Sequence, residues 1–406
     1  MLNSALKLIN SDTGKDTSIV FLGTLMNVIL GGLFFIIVPR ILGPFDYGLF
    51  STVIVTALMV TSIANFGLDT GILRFAKTNP SIISLAFKTY VLLGIMSAIL
   101  GFIFSPVIST MLNHPEITPL LRIAFFGTIF LLLSNFFTAA LQAKSEFLKA
   151  SLVGIAANGA RLLILIVSLF FFKASLNFLT ALFFVIPVIS VILGKIYLPI
   201  KLEKSQNSAK FFQFNLWIAL ALIISSIPYD NYILLSLAGP AATGLYFAPF
   251  KVLTFVYQFG GNFTRVLSSR YSSFDTNQKA VEFSKKSLLF SSVVSCGLLT
   301  LIFISRPVIS LIFGSQYLAA VSIMQVLSVG FIFFFLSTIP SSVILYYLGK
   351  SRISFLITLI RYALFVSLLV ILVPTSQALG AAWAFTLSEL LSLILLSAYS
   401  TFMLSR

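Results

Sequence analysis

Hydrophobic positions in this chain neither alternate nor mark a single helix face. They run on in long stretches broken by short polar intervals. The stretches predict twelve helices, over about 17–38, 48–68, 82–104, 118–141, 150–172, 176–198, 211–238, 240–262, 287–313, 318–347, 353–373 and 377–402. An α-helix rises about 1.5 Å per residue, so roughly 20 apolar residues cross a hydrocarbon layer about 30 Å thick. Stretches of this length, apolar on nearly every side, predict an all-α membrane protein with about 12 transmembrane helices. A membrane barrel would instead show strands of about ten residues with alternating polarity.

Composition agrees. Hydrophobic residues make up 59% of the 406 and charged residues 9%, with a mean hydropathy of +1.08. A soluble domain carries roughly 25% charged residues, so soluble enzymes and nucleic-acid-binding proteins are excluded. The formal charge of +15 would suit a polyanionic ligand, but its placement has a simpler cause. Nineteen of the 26 Lys and Arg residues fall on one side of the predicted spans and only four (Arg40, Arg122, Lys173, Arg306) on the other. Basic loops stay cytoplasmic, so both termini are expected in the cytoplasm of a bacterial inner-membrane protein. The apolar run Thr17–Val38 is too long for a signal-peptide core and is expected to remain as the first span. With one cysteine, Cys296, and one histidine, His114, neither a disulfide nor a multi-ligand metal site is expected.

Short patterns in the first half return in the second, in the same order. Gly43-Pro44 with Gly48-Leu49-Phe50 recurs as Gly239-Pro240 with Gly244-Leu245-Tyr246, 196 residues later. Pro106-Val107-Ile108-Ser109 recurs as Pro307-Val308-Ile309-Ser310, 201 later, and Gly127-x-Ile129-Phe130-x2-Leu133-Ser134 as Gly330-x-Ile332-Phe333-x2-Leu336-Ser337, 203 later. Two pseudo-symmetric six-helix lobes are therefore expected, 1–198 and 211–406, joined by a polar cytoplasmic linker at 199–210. Six spans per lobe make the repeats parallel. Transporters of that plan hold substrate in a central cavity between their halves and work by alternating access.

An ionised side chain at a helix centre costs roughly 2.5–3.5 kcal/mol even on a gentle scale, so each one asks for a function. Arg161 and Arg361 occupy the fifth helix of each lobe, 200 residues apart, and are expected to be symmetry mates facing that cavity. Asn158 shares a helix face with Arg161, and Thr358 with Arg361. The eighth helix presents a stripe containing Lys251, Thr254, Gln258 and Asn262. Asp230 beside Pro228 and Glu389 in the last helix are the deep acids, placed for ion coupling or charge pairing. The first lobe has no mid-membrane acid to neutralise Arg161.

Two runs carry a family likeness. Arg40-Ile-Leu-Gly-Pro-Phe-Asp-Tyr-Gly-Leu-Phe-Ser51 with Asn65-Phe-Gly-Leu-Asp-Thr-Gly-Ile-Leu-Arg74 resembles the opening of the polysaccharide-biosynthesis (lipid-linked oligosaccharide, Wzx-type) flippases. The segment from Asp230 through Leu237-Ala-Gly-Pro240 to Lys251 is similar to their seventh and eighth helices. They belong to the multidrug/oligosaccharidyl-lipid/polysaccharide exporter superfamily. The resemblance implies translocation of undecaprenyl-diphosphate-linked oligosaccharide to the outer leaflet, without an enzymatic step or cofactor, though with possible H⁺ or Na⁺ coupling. It also implies the lipid bilayer, a polysaccharide polymerase and glycosyltransferases as partners. Arg161, Arg361 and Lys251 would then meet diphosphate, with Asn158, Thr358, Thr254 and Gln258 lining the glycan path and Asp69 and Arg74 at a cytoplasmic gate. A cation-coupled multidrug antiporter of the same superfamily would use Asp230 and Glu389 instead. A membrane glycan polymerase or ligase would ordinarily carry a large external loop, and the longest external connection here is the short one around His114.

Overall fold

The structure is a computed structural model that describes residues 12–76, 79–171, 173–200, 208–271 and 274–405. The described chain is helical almost throughout, with no strand among the described residues. Three continuous helical stretches each turn at a single residue: Asp12–Asn65 at Gly43, Tyr229–Tyr271 at Gly239 and Ser351–Leu404 at Gln377. Divided there, the described residues make twelve passages, in the order the hydropathy pattern predicts.

The turns have a local cause. Gly43 (φ 75°, ψ 171°) and Gly239 (φ 82°, ψ 177°) adopt backbone angles open to glycine and costly for other residues. Each precedes a proline, Pro44 or Pro240, whose fixed φ and missing N–H suit the first turn of a new helix. The duplication is thus visible in the backbone as well as in the letters. Short 3₁₀ turns at Pro115–Ile117 and Ser315–Tyr317 repeat in the same way after the two Pro-Val-Ile-Ser segments.

Some boundaries differ from those expected. The helix Asn277–Phe303 starts well before 287, because Lys279, Glu282, Lys285 and Lys286 make its first turns amphipathic rather than apolar. The seventh passage breaks between Ser225 and Tyr229, at Pro228, and a short helix Leu68–Phe75 follows a left-handed turn at Phe66 and Gly67. The 199–210 linker falls mostly on 201–207, outside the described residues.

Contacts gather the chain into two compact units, Met1–Ile41 with Phe50–Pro228, and Leu42–Leu49 with Tyr229–Arg406. The first has a core built from Leu68, Ile72, Tyr90, Phe136, Phe137 and Phe211. The second has a smaller cluster of Leu267, Tyr271, Ala280, Ile339 and Val343. In both, large apolar side chains also face outward; Phe170 is 83% exposed and Phe303 85%. Such a surface is at home in hydrocarbon and not in water. Within the second unit, a Cβ placed on Gly48 would stand 1.8 Å from the Pro240 carbonyl oxygen, and one on Gly244 would stand 1.9 Å from that of Pro44. The two repeated Gly-Pro-x3-Gly segments therefore cross reciprocally, each glycine against the other's proline.

Candidate functional site: two buried arginines held differently

In the first unit, the helix Phe147–Phe171 carries Arg161 into the protein interior, where it is 5% exposed. Its NH1 donates to Asn158 Oδ1 at 2.7 Å and its NH2 to the Phe183 carbonyl at 2.8 Å. Asn158 is itself held by the first helix, donating from Nδ2 to Asn27 Oδ1 at 2.6 Å. The guanidinium lies 4.1 Å from the centroid of Phe183 and 5.4 Å from that of Phe34, distances suited to cation–π attraction. Its Nε is buried without a hydrogen-bond partner. Among the described residues no carboxylate forms an ion pair with it.

Arg361 in the second unit is held otherwise. Its NH1 donates to Glu389 Oε1 at 2.6 Å, and the guanidinium stacks 4.3 Å from the Tyr362 ring. Asp230 accepts the Asn231 backbone N–H at 2.9 Å and is drawn electrostatically to Lys251, with Tyr246 beside it. Arg361 and Glu389 thus satisfy one another. Breaking a buried pair by removing one partner costs roughly 3–5 kcal/mol, whereas removing both groups together can be neutral. Glu389→Gln is therefore expected to lower the melting temperature of the purified protein sharply, and Arg361→Met with Glu389→Leu to restore much of the loss. Equal melting of the single and double variants would refute the pairing.

The remaining expected site residues are more dispersed. Thr254 donates to the Lys251 carbonyl at 2.6 Å and Thr358 to the Ser354 carbonyl at 2.9 Å, both within their own helices. Thr358 and Gln258 are exposed, and the Asn262 side chain lies outside the described residues. Asp69 and Arg74 do not pair: Asp69 Oδ1 accepts from Asn65 at 3.1 Å and from the Thr70 N–H at 2.8 Å. Arg74 instead stacks on Phe214, 4.6 Å from its centroid, and on Phe75 at 5.6 Å. Sequence reasoning missed Asn27, Phe34 and Phe183 around Arg161. For Phe183 the readable signal is Pro187, four residues later.

A family model described as polysaccharide biosynthesis protein matches residues 37–322. This chain belongs to that family. It is 22% identical over 385 residues to the lipopolysaccharide biosynthesis protein WzxC of Escherichia coli (strain K12), covering 92% of this chain and 78% of the relative. It is 24% identical over 399 residues to the capsular polysaccharide biosynthesis protein CapF of Staphylococcus aureus, covering 94% and 97%. A putative O-antigen transporter of Shigella flexneri is 25% identical over 383 residues, covering 88% of this chain and 90% of the relative. Among solved structures, the lipid II flippase MurJ in its inward closed conformation superimposes with a TM-score of 0.75 at 16% identity, covering 95% of this chain and 91% of that one. An inward-facing multidrug resistance MATE transporter of the MOP superfamily gives a TM-score of 0.71 at 15% identity, covering 96% and 97%. The family member described here therefore shares its fold with both a flippase and a multidrug transporter.

Proposed function

We propose that this protein is a flippase that carries undecaprenyl-diphosphate-linked oligosaccharide repeat units from the cytoplasmic to the outer leaflet of the bacterial cytoplasmic membrane. The product would feed O-antigen, capsule or exopolysaccharide assembly, with glycosyltransferases acting before the protein and a polymerase after it. The observation that carries the reading is Arg161: a buried guanidinium with no carboxylate bonded to it and a free Nε donor, in a member of the polysaccharide biosynthesis family. A sugar headgroup crossing bare hydrocarbon would lose its hydrogen bonds at a cost of several kcal/mol each. Diphosphate is the part of this lipid that suits a forked, charge-assisted donor. At 5% exposure Arg161 is enclosed in the described conformation, so the anion meets it only when neighbouring helices part. Such parting is what alternating access requires. The distribution of basic residues supports a topology with both termini in the cytoplasm.

The same observation ranks the sites. In the second unit the Glu389 carboxylate is already bound by Arg361 and Asp230 accepts the Asn231 N–H, which leaves them less suited to a cationic drug. The test is reconstitution in proteoliposomes with labelled undecaprenyl-diphosphate oligosaccharide, read by an external glycosidase. Protein-dependent transfer of glycan between leaflets is expected. Absence of transfer from a preparation that exchanges a cationic dye for protons would overturn the proposal in favour of an antiporter. Imposed pH and Na⁺ gradients in the same vesicles identify the coupling ion.

A further inference from the structure

Arg161 and Arg361 lie on corresponding helices, one turn apart in register: the left-handed residues that precede those helices, Ser145 and Gly349, are 204 residues apart and the arginines 200. Arg361 is bound by a carboxylate and Arg161 is not, and the following helix differs at a repeated position. Phe183, Ser190 and Ile192-Leu193 return 202 residues later as Phe385, Ser392 and Ile394-Leu395. At that offset the residue matching Glu389 is Pro187. In the second copy this position supplies the carboxylate that binds Arg361 at 2.6 Å. In the first copy it supplies no side-chain acceptor, and as proline it also lacks a backbone N–H.

That missing N–H has a consequence four residues earlier. In an unbroken helix the amide of residue 187 would bond to the carbonyl of Phe183. Here the helix Leu176–Val185 stops, two turn residues follow, and Val188–Tyr197 begins with Pro187 before it. Ile189 donates to Ile186 at 2.9 Å and Val191 to Pro187 at 3.2 Å, so hydrogen bonding resumes beyond the proline. The Phe183 carbonyl, left without the Pro187 amide, accepts Arg161 NH2 at 2.8 Å, and the Phe183 ring lies against the guanidinium. A carbonyl accepts and orients one guanidinium N–H, but it cannot cancel the charge.

We infer that Pro187 is the positioning residue of the anion site: by freeing the Phe183 carbonyl it holds Arg161 in place while leaving its positive charge available to the diphosphate. The inference rests on the reading of Arg161 as the diphosphate-binding arginine. It adds that the duplicated scaffold has been divided, with one copy of the position used to recognise an anion and the other to lock two helices together. It also assigns selectivity to a residue that never touches substrate.

The experiment introduces Pro187→Glu and Pro187→Ala into the full-length protein, each in the Arg161 and Arg161→Gln backgrounds. Melting temperature of the purified protein is read beside glycan translocation in proteoliposomes. If residue 187 faces Arg161 as Glu389 faces Arg361, Pro187→Glu maintains or raises the melting temperature when Arg161 is present and lowers it when residue 161 is Gln. Translocation in the Arg161 background is expected to fall about tenfold or more, as for loss of a hydrogen bond to a charged group. Pro187→Ala, whose amide competes for the Phe183 carbonyl, is expected to reduce translocation in the Arg161 background and to change it little further in the Gln background. Equal melting-temperature losses from Pro187→Glu in both backgrounds would overturn the positioning role. A clear sign reversal in melting with unchanged translocation would uphold the positioning and overturn Arg161 as the diphosphate site.

Discussion

Cells carrying Arg161→Ala are expected to insert the protein at normal levels and to fail in glycan export, with lipid-linked oligosaccharide accumulating on the cytoplasmic leaflet. The loss should be large because the two effects of the substitution separate. Removing Arg161 loses its bonds to Asn158 and Phe183 but also relieves the desolvation cost of a charge buried without a carboxylate partner, and these offset one another in folding. Its contribution to an incoming diphosphate is charge-assisted and made in a medium of low dielectric, where a hydrogen bond to a charged group is worth about 1.5–3 kcal/mol, or roughly tenfold to a hundredfold in rate or affinity. Arg161→Lys keeps the charge but loses the fork held by Asn158 and Phe183, and an intermediate defect is expected. Normal export from Arg161→Ala at normal protein level would refute the assignment.

The largest structural effect is expected from Gly48→Val or Gly244→Val. Each side chain would have to occupy space within 2 Å of a backbone carbonyl, since even a Cβ meets Pro240 O at 1.8 Å or Pro44 O at 1.9 Å. Overpacking a core commonly costs about 1–3 kcal/mol when side chains can move aside. Here the obstacle is the partner segment's main chain, which can yield only if the crossing itself opens. Either variant should therefore lose a large part of its thermal stability and expose Leu42–Leu49 to proteolysis. Gly154→Ala and Gly297→Ala, where a Cβ meets nothing within 4 Å, serve as controls and are expected to melt near the parent. A Gly48→Val protein that melts with the controls would show that the reciprocal crossing does not hold the second unit together.

The fold was legible because a bilayer simplifies the code. Runs of about 20 apolar residues admit few alternatives to spanning helices, and the repeated Gly-Pro pairs mark the duplication, one pair lying at each of the turns that the backbone makes at Gly43 and Gly239. Less legible were helix ends outside the apolar runs. The amphipathic start at Asn277 lacks the hydropathy by which spans are found, and Gln377 turns its helix at φ 47° without a glycine to announce it. For the site, mid-helix arginines stood out on cost alone. Their surroundings did not, since a hydrogen bond to the Phe183 main chain leaves no mark on the identity of residue 183. The readable trace was Pro187, and its meaning required knowing which carbonyl it had released. Asp69 and Arg74 illustrate the converse: neighbours in sequence and opposite in charge, they point to different partners, Asn65 and Phe214.

Binding of undecaprenyl diphosphate to the purified protein in nanodiscs is the most direct measurement, comparing the parent, Arg161→Gln and the paired variant Arg361→Gln with Glu389→Gln. If the un-neutralised arginine of the first unit takes the diphosphate, Arg161→Gln weakens binding about tenfold or more while the paired variant binds nearly as the parent does. Unchanged affinity in Arg161→Gln, or a loss confined to the paired variant, would contradict the account.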